Sequence, residues 1–215
     1  MIECKVKKLY GDKLALDVDC SFEEGKIYAI IGNNGSGKST LLNALARQIK
    51  FDGTISAPSK CVYMVQSAYN FDFSVKRNVL LFTKKIDEQR IKEAERMMKV
   101  IGIDALAKKN ANRLSGGERQ KTALVRTLTQ DAELLLLDEP TSSMDVSSSK
   151  IAEDLIREYR EKTGCTVFIV THSVLQAETI ADEILFLDGG KLVERGKDIT
   201  KTPSSPALQS YLASR

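Results

Sequence analysis

Residues 32–40 read Gly-Asn-Asn-Gly-Ser-Gly-Lys-Ser-Thr, and the first eight fit G-x-x-x-x-G-K-[ST]. These residue types at this spacing bind a nucleoside triphosphate with Mg²⁺. Glycines let the main chain wrap closely around phosphate oxygens, and the N–H groups of the loop and of the following helix start point at the anion. Asn34, Gly35, Ser36, Gly37 and Thr40 belong to that cradle. Lys38 brings positive charge to the β- and γ-phosphates, and the Ser39 hydroxyl is a Mg²⁺ ligand. A second constellation, Asp138-Glu139, ends a run of four leucines at 134–137. Asp138 there suits a metal-holding carboxylate, acting on Mg²⁺ through its water shell. Glu139 suits a general base for the attacking water, a role that contributes ~10²–10⁴-fold. The sole histidine, His172, follows the apolar run 166–170.

These groups need a frame that brings them together, and the pattern supplies one. Apolar runs at 26–31 and 166–170 read as short buried strands, 61–65 as another short strand, and the all-leucine run 134–137 as a strand buried on both faces, as a parallel sheet requires. Helices alternate with them. One spans 39–49, with Leu41, Leu42, Leu45 and Ile49 on one face, and another spans 146–161, with Ile151, Leu155 and Tyr159 at helical spacing. Segments 184–187 and 191–194 form a hairpin around Asp188-Gly189-Gly190. Ligands of such open α/β sheets bind at the carboxyl ends of the strands, which is where the loop at 32–40, the two acids and His172 all fall.

Two stretches differ from this α/β pattern. Residues 1–25 read as an N-terminal antiparallel hairpin turning at Gly11-Asp12. Residues 67–114 lack clear strands and carry a basic amphipathic helix at 87–100, so they read as a helical subdomain inserted into a core made of 1–66 and 115–200. The tail, 201–215, is a loop and a short terminal helix.

Composition narrows the function classes. A net charge of +3 in 215 residues does not call for nucleic acid as a partner. No apolar run approaches the ~20 residues needed to cross a bilayer. Residues 1–10 have no signal-peptide core, so the chain is expected in the cytosol. The four cysteines show no CxxC spacing and read as reduced, packed thiols. One histidine excludes a multi-histidine metal site.

Residues 114–118, Leu-Ser-Gly-Gly-Glu, followed by Arg119-Gln120-Lys121, complete the set. Locally this is a helix start with a capping box, Ser115 with Glu118 three residues on. As a motif it resembles the LSGGE signature of the ATP-binding cassette (ABC) ATPases, a P-loop NTPase family. The resemblance covers about residues 2–196. It implies a head-to-tail homodimer formed on ATP binding, in which Ser115 and Gly117 contact the γ-phosphate held by the opposite protomer. It implies that Tyr10 stacks on adenine and that Gln66 senses Mg²⁺ and the attacking water. By the same resemblance His172 contacts the γ-phosphate and positions that water, and Asp145 closes the D-loop at 142–145, where Ser143 and Met144 depart from the usual pattern. A single cassette without a membrane segment looks like the separate ATP-hydrolysing subunit of a transporter, peripheral on the inner face of the membrane beneath integral membrane subunits. Phe71, Phe73 and Val75 are candidates for contact with those subunits or for subdomain core. The segment before the signature and Glu118 resemble importers, and residues 171–177 resemble importers of inorganic anions such as tungstate, molybdate or phosphate. A soluble single cassette outside any transporter, such as an iron–sulfur-assembly ATPase, is the alternative.

The phosphate-loop reading predicts that Lys38→Ala abolishes nucleotide binding. Calorimetry with Mg-ATP checks this, and wild-type affinity in the variant contradicts the assignment.

Overall fold

The computed structural model describes residues 1–67, 69–83 and 86–214. A nine-stranded sheet organises the chain, with order β4-β1-β2-β9-β8-β3-β7-β6-β5. The strands are β1 (Ile2–Tyr10), β2 (Lys13–Phe22), β3 (Ile27–Ile31), β4 (Asp52–Ser56), β5 (Cys61–Met64), β6 (Leu134–Asp138), β7 (Thr166–Val170), β8 (Glu183–Asp188) and β9 (Lys191–Gly196). β5, β6, β7, β3 and β8 run parallel to one another, and β9 returns antiparallel to β8. Every residue of β3, β6 and β7 is buried, because both faces are covered.

Strand alternation sorts the side chains onto two faces. On one face Tyr28, Leu134, Leu136, Phe168 and Val170 meet Leu41, Leu42 and Leu45 of helix α1 (Lys38–Leu45) and the inward residues of β1 and β2. On the other, Ala29, Leu135, Leu137, Val167 and Ile169 pack with α3 (Glu88–Val100), α4 (Gly116–Leu128), α5 (Val146–Thr163) and α6 (Val174–Ile180). Residue 67 onward adds the short helix α2 (Val75–Val79), and the chain ends on α7 (Pro206–Ala213), whose Tyr211 ring lies 5.3 Å from Phe186. Among the described residues no helix is long and apolar enough to cross a membrane.

The N-terminal ribbon is antiparallel, with β1 paired to both β2 and β4. It joins the parallel sheet through a single pairing, Asp17 with Lys191, where the Asp17 N–H donates to the Gly190 carbonyl at 2.6 Å.

Several elements depart from the sequence expectation. β4 has no apolar alternation to announce it. It exists because β1 offers an open edge, and it presses so close that a side chain on Gly53 would meet the Lys5 carbonyl at 2.1 Å. The helix expected over 39–49 stops at Leu45, where Arg47 turns into a left-handed conformation (φ 56°). The two short helices α2 and α6 were not anticipated, although a serine caps each: Ser74 accepts from the Arg77 N–H and Ser173 from the Gln176 N–H. Five to seven residues carry too little periodicity to read.

Phe168 sits at the centre of an aromatic cluster, 4.9 Å from Phe22 and 5.0 Å from Tyr28. It joins the ribbon to the parallel sheet two strand positions before Val170. Phe168→Ala is expected to destabilise the fold by about 3–5 kcal/mol. Urea unfolding measures this, and a change within experimental error would show that the cluster does not tie the ribbon to the parallel strands.

Candidate functional site

The strand order decides what can meet. β3, β7, β6 and β5 are consecutive neighbours and all parallel, so their carboxyl ends emerge at one edge. β3 leads into the loop at 32–37, β7 into His172, β6 into Asp138 and Glu139, and β5 into Gln66. A cavity of about 600 Å³ opens there, lined by Lys38, Ser39, Gln66, Glu139, His172 and, from β1, Tyr10. Asn34, Gly35, Gly37 and Thr40 complete its phosphate-loop wall. Alternation along β6 aims Asp138 to the same face as Leu134 and Leu136, the face that carries α1 and hence Ser39.

The loop is held open by its own lysine. Lys38 is buried, and its ammonium donates to the Gly32 and Asn33 carbonyls at 2.9 Å each. Those bonds curl the chain around the cation and turn N–H groups outward, the arrangement that receives an anion. Gly37 is required by geometry: it takes φ 104°, and a side chain there would meet the Ala15 carbonyl at 2.7 Å. The Gly190 N–H, donating to the Ser36 carbonyl at 3.1 Å, buttresses the loop from beneath.

The acids and the histidine form the opposite wall. His172 Nε2 lies 2.8 Å from Glu139 Oε1. In the neutral ring that contact keeps the proton on Nε2. Glu139 has a positive φ of 50°, a conformation that non-glycine residues adopt at a cost of ~1–3 kcal/mol and that clusters at active sites. Asp138 is buried, and burial pushes its carboxyl above the ordinary aspartate range. The nearby Ser39 hydroxyl pulls it back down, while the Glu139 charge raises it further. The Tyr63 hydroxyl donates to Asp138 Oδ2 at 3.4 Å.

The donor set fits Mg²⁺. Among the described residues Asp138 Oδ1 is buried with no hydrogen-bond partner, and the Ser39 hydroxyl lies close enough to the same carboxyl to favour its charged form. An unpartnered carboxylate oxygen beside a hydroxyl is hard-cation chemistry, and a divalent ion offsets the cost of holding that charge buried. Asp138 and Ser39 would hold the ion, with Gln66 at the cavity wall. Ser36 Oγ is likewise buried without a partner, inside the loop that would take phosphate.

Three expected contact residues lie elsewhere. Ser115, Gly117 and Asp145 do not line this cavity. Ser115 caps α4: the Glu118 N–H donates to Ser115 Oγ at 3.3 Å and the Ser115 N–H donates to Glu118 Oε2 at 2.7 Å. Ser115 and Gly116 remain exposed, so the N–H end of α4 faces solvent. Asp145 caps α5, accepting from the Ser147 and Ser148 hydroxyls at 2.6 and 2.9 Å and from the Ser148 N–H at 2.8 Å, and these bonds hold its carboxyl far below the usual range. Of the candidates for docking contacts, Val75 is fully buried in the core, whereas Phe71 and Phe73 are half-buried and stacked 6.1 Å apart.

Sequence reasoning missed Lys13, Leu14 and Ala15, which line the cavity from β2, and Tyr63 beside Asp138. No motif marks the first three. The alternation of β5 could have placed Tyr63 on the Asp138 face, given the pairing of Tyr63 with Leu136.

Comparison with known proteins identifies the family. The family model described as "ABC transporter" matches residues 15–142. The chain is 37% identical to the tungstate uptake system ATP-binding protein TupC of Peptoclostridium acidaminophilum, over 88% of this chain and 94% of that protein. It is 36% identical to the aliphatic sulfonates import ATP-binding protein SsuB 2 of Rhizobium johnstonii, over 90% and 79%. Among solved structures it is similar to the dimeric bacterial ABC transporter cassette MJ0796, with a TM-score of 0.79 at 26% identity over 92% of this chain and 98% of that one. With the phosphate loop, the paired acids and the signature segment on one fold, the chain belongs to the ABC transporter family, as an ATP-binding and ATP-hydrolysing cassette that uses Mg²⁺.

Proposed function

We propose that this cassette powers the import of a tetrahedral oxyanion through separate membrane-spanning subunits, from the cytoplasmic face of the membrane. The observation that carries the ATPase mechanism is the single sheet edge that gathers the phosphate loop, Gln66, Asp138, Glu139 and His172. The oxyanion reading is supported by relatives named for tungstate, sulfonates and sulfate. Residues 67–114 act as the helical subdomain. The exposed Tyr69 and Phe82 and the half-buried Phe71 give that subdomain an aromatic surface suited to a docking helix of a membrane subunit.

The residues divide the work. Lys38 and the loop N–H groups bind the β- and γ-phosphates, and Tyr10 stacks on the base. The Lys8 ammonium, already 4.9 Å from the Tyr10 ring centroid, reinforces that end. Mg²⁺, held by Ser39 and Asp138 with Gln66, supplies charge neutralisation to the phosphates when bound. Glu139 accepts the proton of the attacking water as its oxygen bonds to the γ-phosphorus. The bond from that phosphorus to the bridging oxygen breaks, leaving ADP and phosphate. His172 fixes the Glu139 carboxylate for that transfer. Ser115, exposed at the start of α4, and the half-buried Gly117 close the site of a second copy, and Asp145 sets the approach of the two copies through the α5 cap.

This division of roles predicts that Glu139→Gln traps an ATP-bound dimer, since the binding groups stay while the proton acceptor is lost. Light scattering with Mg-ATP should give twice the 23.8 kDa of one chain, with turnover down by at least about 100-fold. A variant that binds ATP yet stays monomeric sinks the composite-site reading. Affinity capture of the wild-type chain from membranes should bring down a multi-spanning protein, and capture of soluble partners alone contradicts the transporter placement.

A further inference from the structure

Gln120 takes no part in the site described above, yet it is among the best-satisfied polar side chains in the molecule. It lies one turn into α4 and is 2% exposed. Its Nε2 donates to the Glu139 carbonyl at 2.7 Å and to Ser142 Oγ at 3.0 Å, and its Oε1 accepts from the Ser143 N–H at 2.6 Å. Three bonds from one side chain therefore clamp the turn that begins at Glu139. The same carbonyl accepts from the Ser142 N–H at 3.3 Å, which closes the turn locally.

That turn is strained at the residue that matters. Glu139 holds φ at 50°, unfavourable for a side-chain-bearing residue, and such a conformation persists only when the surroundings over-determine it. The Glu139 N–H is fixed to the Val170 carbonyl at 3.0 Å on one side, and Gln120 fixes the carbonyl on the other. With both ends of the residue tethered, the direction of its Cα–Cβ bond is set, and the carboxylate meets His172. α4 also presses on this loop directly, because a side chain on Gly117 would meet the Ser143 carbonyl at 2.9 Å.

We infer that Gln120 is a positioning residue: through the Glu139 carbonyl it holds the catalytic carboxylate in its working direction and ties it to the helix whose N-terminus faces the second copy. This rests on Glu139 being the base. Displacement of a reacting group by ~1 Å costs on the order of 100-fold in rate, so the tether shows in turnover rather than in nucleotide binding. The clamp touches no residue of the phosphate loop.

Gln120→Ala removes all three bonds. Gln120→Glu keeps the shape and the acceptor for Ser143 but replaces the donor to the Glu139 carbonyl with a carboxylate oxygen. The full-length chain is assayed for steady-state ATPase and, with a fluorescent ATP analogue, for affinity. Both variants are expected to lose about 100-fold in kcat with KM and analogue affinity unchanged. Thermal melts should show Gln120→Glu folded at the assay temperature but less stable than the wild type, because a buried carboxylate oxygen then faces the Glu139 carbonyl. Wild-type kcat in Gln120→Glu overturns the inference, as does a loss that follows KM and affinity together. Should Gln120→Ala fail to fold, Gln120→Glu decides alone. Glu139→Gln, run alongside, separates the two readings. If it keeps wild-type turnover, the base assignment fails and takes the inference with it. If it is inactive while both Gln120 variants run at the wild-type rate, only the positioning role fails.

Discussion

Everything in the site depends on one packing constraint: four strands distant in sequence must lie side by side, all pointing the same way. Parallel neighbours cannot be joined by tight turns, so the chain makes long crossovers and covers both faces with helices and the N-terminal ribbon. The return is geometric. Once β3, β7, β6 and β5 are aligned, their next residues share an edge without further design. The apolar completeness of β3, β6 and β7 is thus the precondition of the chemistry, because a strand that slipped by one residue would turn Asp138 away from Ser39.

The same constraint explains what could be read without a structure. The phosphate loop, the acids after the leucine run and the histidine after β7 are local patterns, and their meeting follows from the rule that ligands gather at strand carboxyl ends. The capping box at Ser115 is also local. What could not be read is made by partners far apart in the chain. Tyr63 reaches Asp138 across 75 residues, and β4 exists only because β1 has an edge to offer. Lys13, Leu14 and Ala15 reach the cavity because Asp17 docks on the β8–β9 turn, a contact no spacing encodes. Val75 illustrates the converse: an aromatic-rich segment reads as one surface, and packing assigns its members separately, burying Val75 and leaving Tyr69 exposed.

The two halves of the phosphate chemistry sit on different elements of the chain. The loop side is complete in one copy, with Lys38 seated among carbonyls. The α4 side presents capped but exposed N–H groups to solvent. A helix N-terminus aimed at water is a modest anion site by itself, and it gains strength when a second surface excludes solvent around the charge. Nucleotide placed between two copies meets that condition on both sides, which is how a small ligand can join two large surfaces.

The left-handed backbone at Glu139 carries a consequence for how such a cassette changes over time. Asparagine or glycine would sit there with less strain than glutamate, and either would relieve the turn while removing the acid. Relaxation of the fold and loss of turnover thus lie in the same direction. The strained acid endures only under continuing demand for turnover. A lineage released from that demand would drift toward a more stable, nucleotide-gripping clasp that opens slowly or not at all.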